Sequence, residues 1–468
     1  MKRRCFYLIL IGVFALGLLA CSNKTNDSPT DGNNTKGQEN TDFNDSSDSS
    51  ETKENASDLE EVGEDAITPE PTPVPDPFDE SIWEGRTDEY KDMIKNSLIT
   101  SGNNYRIKKA IEKAKRGEEV TIGYIGGSIT ESFNASSAEK GYAYLSYLYF
   151  KEAYGLADMD NVKYINAGMS GTPSTLGMIR YDRDIIGYAE GSPDILFVEF
   201  AVNDGDDPTN GDAYESLVLN ALQAENQPAV ILLFAVFQSK WNLQDRLMPV
   251  GNHYNLPMIS IKDAVVHELE AERLTDKEFF SDQYHPTDYG HGIMADCIKY
   301  YFSTVNSENA SETDITISDQ AAIGNSFVGV KLLDASSIPG GITINPGSFS
   351  ETDTILGTIR HLPGTKTFPN NWKHSTGSGT ESFTMDINCK NLLIVYKSNS
   401  QASSGKVDVY IDGELTKSIL GNQGGGWNNP YTMLLLNEDS PANHNVEIKM
   451  AEGNEEKEFT ILAFGYTE

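Results

Sequence analysis

Cysteine is scarce in this chain, with four in 468 residues. Cys5 and Cys21 fall within or at the end of a leader-like start, so Cys297 and Cys389 are left for the folded part and no disulfide framework can be built from them. They lie in different halves and read as small buried hydrophobes. Histidine is nearly as sparse, seven in all, and never grouped at ligand spacing; Cys-x-x-Cys is absent, so no metal is expected. Neither a glycine-rich phosphate loop nor a dinucleotide fingerprint occurs, and no cofactor is expected. Positive charge is also short. Lys and Arg total 36 against 70 Asp and Glu, a net −34 that repels nucleic acid and anionic lipid. The longest apolar run, Phe6 to Ala20, is shorter than the ~20 residues a membrane-spanning helix needs.

That run follows Lys2, Arg3 and Arg4, which makes it a secretory signal. It ends in Leu18-Leu19-Ala20-Cys21, which resembles the lipobox of bacterial lipoproteins. The resemblance implies cleavage before Cys21, lipid on its thiol, and a location on the outer face of the cell membrane. The competing reading is an ordinary signal peptide with a cysteine in it. Residues 22–80 are acidic and rich in Ser, Asn, Thr and Gly, with too little apolar content to offset chain entropy. They read as a tether, stiffened near its end by Pro69, Pro71, Pro73, Pro75 and Pro77.

The folded part has enough apolar material for packed cores, 38% of the whole composition. From 81 to 305, helical patterns alternate with continuous apolar runs. Ile107, Ala110, Ile111 and Ala114 recur at helical spacing, Tyr142 to Tyr154 and Gly290 to Phe302 are further helices, and Leu217 to Ala224 is part of another. Val120 to Ile125, Val162 to Asn166, Ile195 to Val202, Val230 to Phe237 and Met258 to Ser260 read as buried strands. The pattern predicts a parallel sheet covered on both faces, an α/β domain. From about 312 to 468 the runs are short and rich in Thr, Ile and Val: Asn391 to Tyr396, Val407 to Ile411, Tyr431 to Leu436 and Asn445 to Met450. Turns such as Asp412-Gly413 separate them, which predicts a β-sandwich of jelly-roll type.

Ligands of open α/β sheets bind at the carboxyl ends of the strands. Four loops there carry unusual chemistry: Gly126-Gly127-Ser128-Ile129-Thr130, then Asn166 to Thr172, then Asn203-Asp204, and last Asp282-Gln283-Tyr284-His285. In order and spacing they resemble the four blocks of the SGNH, or GDSL-like, hydrolases, in the branch that carries GGSIT. The resemblance covers roughly 120 to 297. It implies a flavodoxin-like three-layer α/β/α domain and a serine esterase. Ser128 would be the nucleophile, His285 its base and Asp282 the carboxylate that orients the base. Ser128 and Gly168 through backbone N–H, and Asn203 through its amide, would form the oxyanion hole. The residue types suit the task, since a serine hydroxyl needs a base during attack and a neutral imidazole provides one near pH 7. His253, His267 and His291 lack such neighbours and read as structural or exposed, and Arg183-Asp184 reads as a local ion pair.

An exported GGSIT-type chain with an appended β-domain resembles bacterial carbohydrate esterases that deacetylate hemicelluloses such as xylan or mannan. The expected partner is thus an acetylated polysaccharide or oligosaccharide. The β-domain then resembles a carbohydrate-binding module. Trp372, Trp427 and Tyr431 lie in its loop-like stretches, where an exposed indole offers a sugar ring a flat apolar face. Filling the sandwich core is the other reading of each. Two other functions stand beside this one: an esterase for the cell's own envelope glycan, and a surface glycan-binding protein whose hydrolase fold is idle.

Overall fold

The computed structural model describes residues 83–157, 160–189, 191–362 and 365–468. The expected leader with Cys21, and the tether, lie outside them. Six strands form the first sheet: β1 (Leu98–Thr100), β2 (Val120–Gly126), β3 (Val162–Gly168), β4 (Ile195–Glu199), β5 (Ala229–Phe234) and β6 (Met258–Ser260). Their spatial order is β1-β6-β5-β4-β2-β3, parallel throughout except for β1, which runs antiparallel to β6. Leaving β1 aside, this is the flavodoxin-like order.

Alternation along the strands divides the core in two. In β4, Ile195 and Phe197 face one way and Leu196 and Val198 the other; in β5, Ile231 and Leu233 oppose Val230 and Leu232. One face is covered by the helices Tyr105–Lys115, Tyr142–Tyr154, Ile261–Glu270 and Asp288–Ser307, the other by Ser174–Tyr181, Asp212–Leu222 and Gln244–His253. Strand order reverses at β2, between β3 and β4, which opens a crevice beyond its carboxyl end. Ser128, the loop after Gly168, and Asn203 follow β2, β3 and β4, so all three arrive at that crevice.

The second half contains β7 (Lys331–Leu333), β8 (Thr343–Asn345), β9 (Trp372–His374), β10 (Phe383–Asn399), β11 (Lys406–Ile411), β12 (Glu414–Leu420), β13 (Trp427–Met450) and β14 (Phe459–Thr467). All pair antiparallel. β10 and β13 are long enough to serve two sheets, and their register breaks between Cys389 and Asn391. Before the break β10 lies between β8 and β13; after it, between β14 and β13. Phe383 from the first part meets Trp372 and Phe464 from the second sheet, with ring centroids 5.4 and 5.8 Å apart, which makes the inside of a sandwich. The runs expected at 431–436 and 445–450 are two stretches of the single strand β13.

Both halves belong to one compact unit. Leu393, Val395, Leu462 and Ala463, on the outer face of the sandwich, share an apolar core with Met178 and Ile179. The approach is close enough that a Cβ on Gly465 would stand 2.5 Å from Ile179. The segment between the halves is fixed to the helix Asp212–Leu222. There the buried carboxylate of Glu215 accepts hydrogen bonds from the Ala322, Ile323 and Gly324 N–H groups and from the Tyr254 hydroxyl.

This architecture corrects one site expectation. Trp372 is 6% exposed and packs edge-on against Phe383, so neither face of its indole is open to a sugar. Pairing of β9 with β14 turns it into the sandwich, where it is the largest apolar group available to fill that space. Trp372→Ala should therefore cost about 3–5 kcal/mol of stability, read from a denaturant titration, because it leaves a cavity the size of an indole.

Candidate active site

β2 ends in Gly126, and neither that residue nor Gly127 has room for a side chain. A Cβ on Gly126 would run into Thr130 Oγ1 and the Glu199 carbonyl; one on Gly127 would run into the Asn203 amide. These contacts press the turn against the end of β4. The turn itself is closed by Glu131 N–H to the Gly127 carbonyl (3.0 Å) and Phe133 N–H to the Ser128 carbonyl (2.9 Å). Ser128 stands on this turn, and its Oγ lies 2.9 Å from Nε2 of His285.

The spacing from Asp282 to His285 has a local cause. Asp282 Oδ1 accepts the backbone N–H groups of Tyr284 and His285, both at 2.8 Å, and the resulting turn brings the imidazole back over its own carboxylate. Nδ1 of His285 is 2.9 Å from each Asp282 oxygen, and Asn134 Nδ2 donates to Oδ2 at 2.7 Å. Partial burial acts to raise the Asp282 pKa, but the hydrogen bonds from His285 and the two N–H groups outweigh it and hold the carboxyl below its ordinary range. An ionised carboxylate at Nδ1 places the ring proton there and leaves the Nε2 lone pair facing the Ser128 hydroxyl. The sequence-predicted trio is thus brought together in one hydrogen-bonded row.

Gly168 is a correction. Its N–H donates to the Asn166 side chain at 2.8 Å, so it has no donor to offer a substrate oxygen. What requires glycine there is packing, because a Cβ would collide with the Glu131 backbone. Asn166 also donates to the Thr130 carbonyl at 2.7 Å and so fastens the end of β3 to the Ser128 turn. Three residues on, Gly171 has the properties expected of Gly168. Its φ is +68°, and no described residue accepts its N–H. The Ser170-Gly171 pair was visible in the sequence, but two glycines in one loop look alike until their N–H groups are traced. The Asn203 amide lies against Gly127 with its Nδ2 donating to no described group.

Behind these loops lie groups that sequence reasoning passed over. Arg180, completely buried, donates to the Ala167 carbonyl (2.5 Å) and the Gly126 carbonyl (3.1 Å), tying the ends of β3 and β2 together. Asp184 balances its charge at 3.1 Å and also takes Arg183 at 2.5 Å, the local ion pair expected from sequence. Ser170 N–H donates to the Glu131 carboxylate at 2.6 Å. A cavity of ≈ 260 Å³ borders Gly168 and is lined also by Tyr164, Arg180, Tyr188 and His361. Around Ser128 the surface is aromatic. Phe133 sits 4.7 Å from the His285 ring, Tyr284 and Trp241 flank Phe237, and Trp427, 56% exposed, lies across Gly171. His291 is buried, and His253 bonds the Gln320 carbonyl. Among the described residues no three His, Cys, Asp or Glu side chains are grouped as metal ligands would be.

Glu199, at the end of β4, and Asp204 are both fully buried, and burial pushes their carboxyls up to about 8 and about 7. Glu199 accepts from Thr130 Oγ1 at 3.1 Å. Its folded pKa is raised, so between the ordinary glutamate range near ~4.3 and about 8 the native state keeps a proton that the unfolded chain releases. Stability falls with rising pH across that window. Glu199→Gln, which removes the titration, should stabilise the protein more at pH 8 than at pH 5, measured as the shift in denaturation midpoint at each pH.

No family model matches the chain, and no curated protein matches it. Among solved structures it is similar to a two-domain esterase active on acetylated mannans, co-crystallised with mannopentaose, at 27% identity over 80% of this chain and 98% of that one, with a TM-score of 0.69. A second crystal structure of a two-domain esterase active on acetylated mannans matches at the same identity over 80% and 99%, with a TM-score of 0.70. An alignment of that reach runs through the parallel sheet and the sandwich alike. With the four sequence blocks meeting at the sheet's switch point, it supports a carboxylic ester hydrolase that resembles the SGNH/GDSL type.

Proposed function

We propose that the chain removes O-acetyl groups from a polysaccharide, an acetylated mannan or related hemicellulose, through an acyl-enzyme on Ser128. The observation that carries the reading is the row Ser128 Oγ, His285 Nε2, His285 Nδ1, Asp282, with each separation at 2.9 Å. Ser128 Oγ attacks the acetyl carbonyl while His285 Nε2 takes its proton, and Asp282 stabilises the imidazolium. The oxyanion is met by the N–H groups of Ser128 and Gly171 and by the Asn203 amide. Collapse of the tetrahedral species breaks the ester bond, and His285 gives the proton to the departing sugar oxygen, which leaves as a hydroxyl. Water, activated by the same imidazole, then releases acetate and restores Ser128.

The glycan reading is supported by the similar structure's activity on acetylated mannans and by its bound mannopentaose. It is also supported by Trp427, whose exposed indole borders the Gly171 loop and offers a sugar ring a stacking face beside the acetyl site. A lipid anchor at Cys21, membrane attachment and an extracellular position complete the proposal on the strength of the leader sequence alone.

Ser128→Ala should abolish hydrolysis of a small acetyl ester with folding intact, and retention of more than a tenth of the activity overturns the assignment. Asn203→Ala should lower kcat by ~100-fold, the usual loss for one oxyanion donor. Acetate release from acetylated mannan, acetylated xylan and acetylated peptidoglycan, by the chain lacking residues 1–21, identifies the polymer. Preference for peptidoglycan would move the function to the cell's own envelope. Trp427→Ala should raise KM on an acetylated oligosaccharide about tenfold and leave a small chromogenic acetate within twofold, as expected from losing ~1.4 kcal/mol of stacking.

A further inference from the structure

The segment from Glu131 to Ala135 follows the Ser128 turn and has no regular structure to hold it. Ser132 and Asn134 both adopt left-handed backbone, with φ of 65° and 62°, a conformation that side-chain-bearing residues keep only when their surroundings impose it. Three of the segment's carbonyls are engaged by two neighbouring side chains from the second half of the chain. Arg360 donates through one guanidinium nitrogen to the Ser132 carbonyl at 2.5 Å and through the other to the Ala135 carbonyl at 3.4 Å. His361 Nε2 stands 3.1 Å from the Glu131 carbonyl. Just beyond the segment, Ser136 is held by Asp288 at the start of the last helix of the α/β half, through its N–H at 2.7 Å and its hydroxyl at 2.5 Å.

What lies between these clamps faces the reacting groups. Phe133 packs on the His285 ring, and Asn134 Nδ2 donates to Asp282 Oδ2. We infer that Arg360 and Asn134 are positioning residues for the reaction: the second half of the chain, through the fork of Arg360, sets the loop that orients Asp282 and covers His285. The inference rests on the reading of Ser128, His285 and Asp282 as the triad. It makes the sandwich a working part of the catalytic centre for every ester, large or small. Lysine replaces the fork only in part, since its ammonium keeps the charge but lacks the two separated guanidinium nitrogens that meet the Ser132 and Ala135 carbonyls.

The test is steady-state kinetics on 4-nitrophenyl acetate with the full chain, comparing Arg360→Met, Arg360→Lys, Asn134→Ala and the Met/Ala double variant, with melting measured for each. Arg360→Met should lower kcat about 10- to 100-fold with KM within threefold, the usual effect of a small misplacement of catalytic groups. Asn134→Ala, whose side chain is on the surface, should lose a similar factor with an unchanged melting temperature. The double variant should be no slower than the slower single, because both break one connection, and Arg360→Lys should recover part of the rate. Wild-type kcat in both single variants, or losses that multiply in the double, overturns the inference while Ser128→Ala remains inactive. Should Arg360→Met fail to fold, Asn134→Ala decides alone. If Ser128→Ala is active, the triad reading fails first and this inference fails with it.

Discussion

A guanidinium with no exposure to solvent holds the chemistry of this protein in place. Arg180 reaches up from the helix Ser174–Tyr181 to the carbonyls of Gly126 and Ala167, at the ends of β2 and β3 where those strands open into their loops. A charge so deep would be costly alone, by several kcal/mol. Asp184 meets it from a π-helical turn that begins where the α-helix ends, and Arg183 closes the group from the rim. The Ser128 turn and the Gly171 loop therefore start from fixed points, and the close glycine contacts above them follow. With Gly126 and Gly127 pressed against the end of β4, the Asn203 amide has one place to be.

The sandwich and the parallel sheet share more than a border. The outer face of β10 and β14 buries the helix that carries Arg180, so the anchor of the active site is itself packed by the second half. That arrangement differs from a binding module on a tether, in which the linker sets an effective concentration and nothing else. Here the exposed indole of Trp427, the Arg360 fork and the apolar face around Leu393 and Val395 engage the hydrolase half at three separate places.

The parts legible in the sequence were those that local chemistry determines. β2, β4 and β5 are continuous apolar runs because both faces of a parallel strand are covered, and that pattern needs no knowledge of the fold. The Asp282 to His285 pair was legible because its geometry is a turn of four residues. The expectations that the structure overturns depend on contacts that neither composition nor spacing displays. Gly168 and Gly171 are indistinguishable until the Asn166 side chain takes one N–H and leaves the other. Trp372 and Trp427 both sit among asparagines and glycines, and only strand pairing turns one inward. Arg360 lies in an irregular stretch with no periodicity, and its acceptors are more than 200 residues earlier.

Glu215 makes the join between the halves a poor place for recombination. Its carboxylate faces three successive N–H groups of the connecting segment and the Tyr254 hydroxyl, and the three N–H groups are lost if a foreign β-domain is grafted after the last helix of the α/β half. Such a chimera would keep the acid and lose three of its four donors. A buried, uncompensated charge of that kind is strongly destabilising. Inheritance of the two halves is consequently linked: a lineage can change the substrate by altering loops, but it cannot exchange the sandwich without also rewriting the helix Asp212–Leu222 on the face that the sandwich covers.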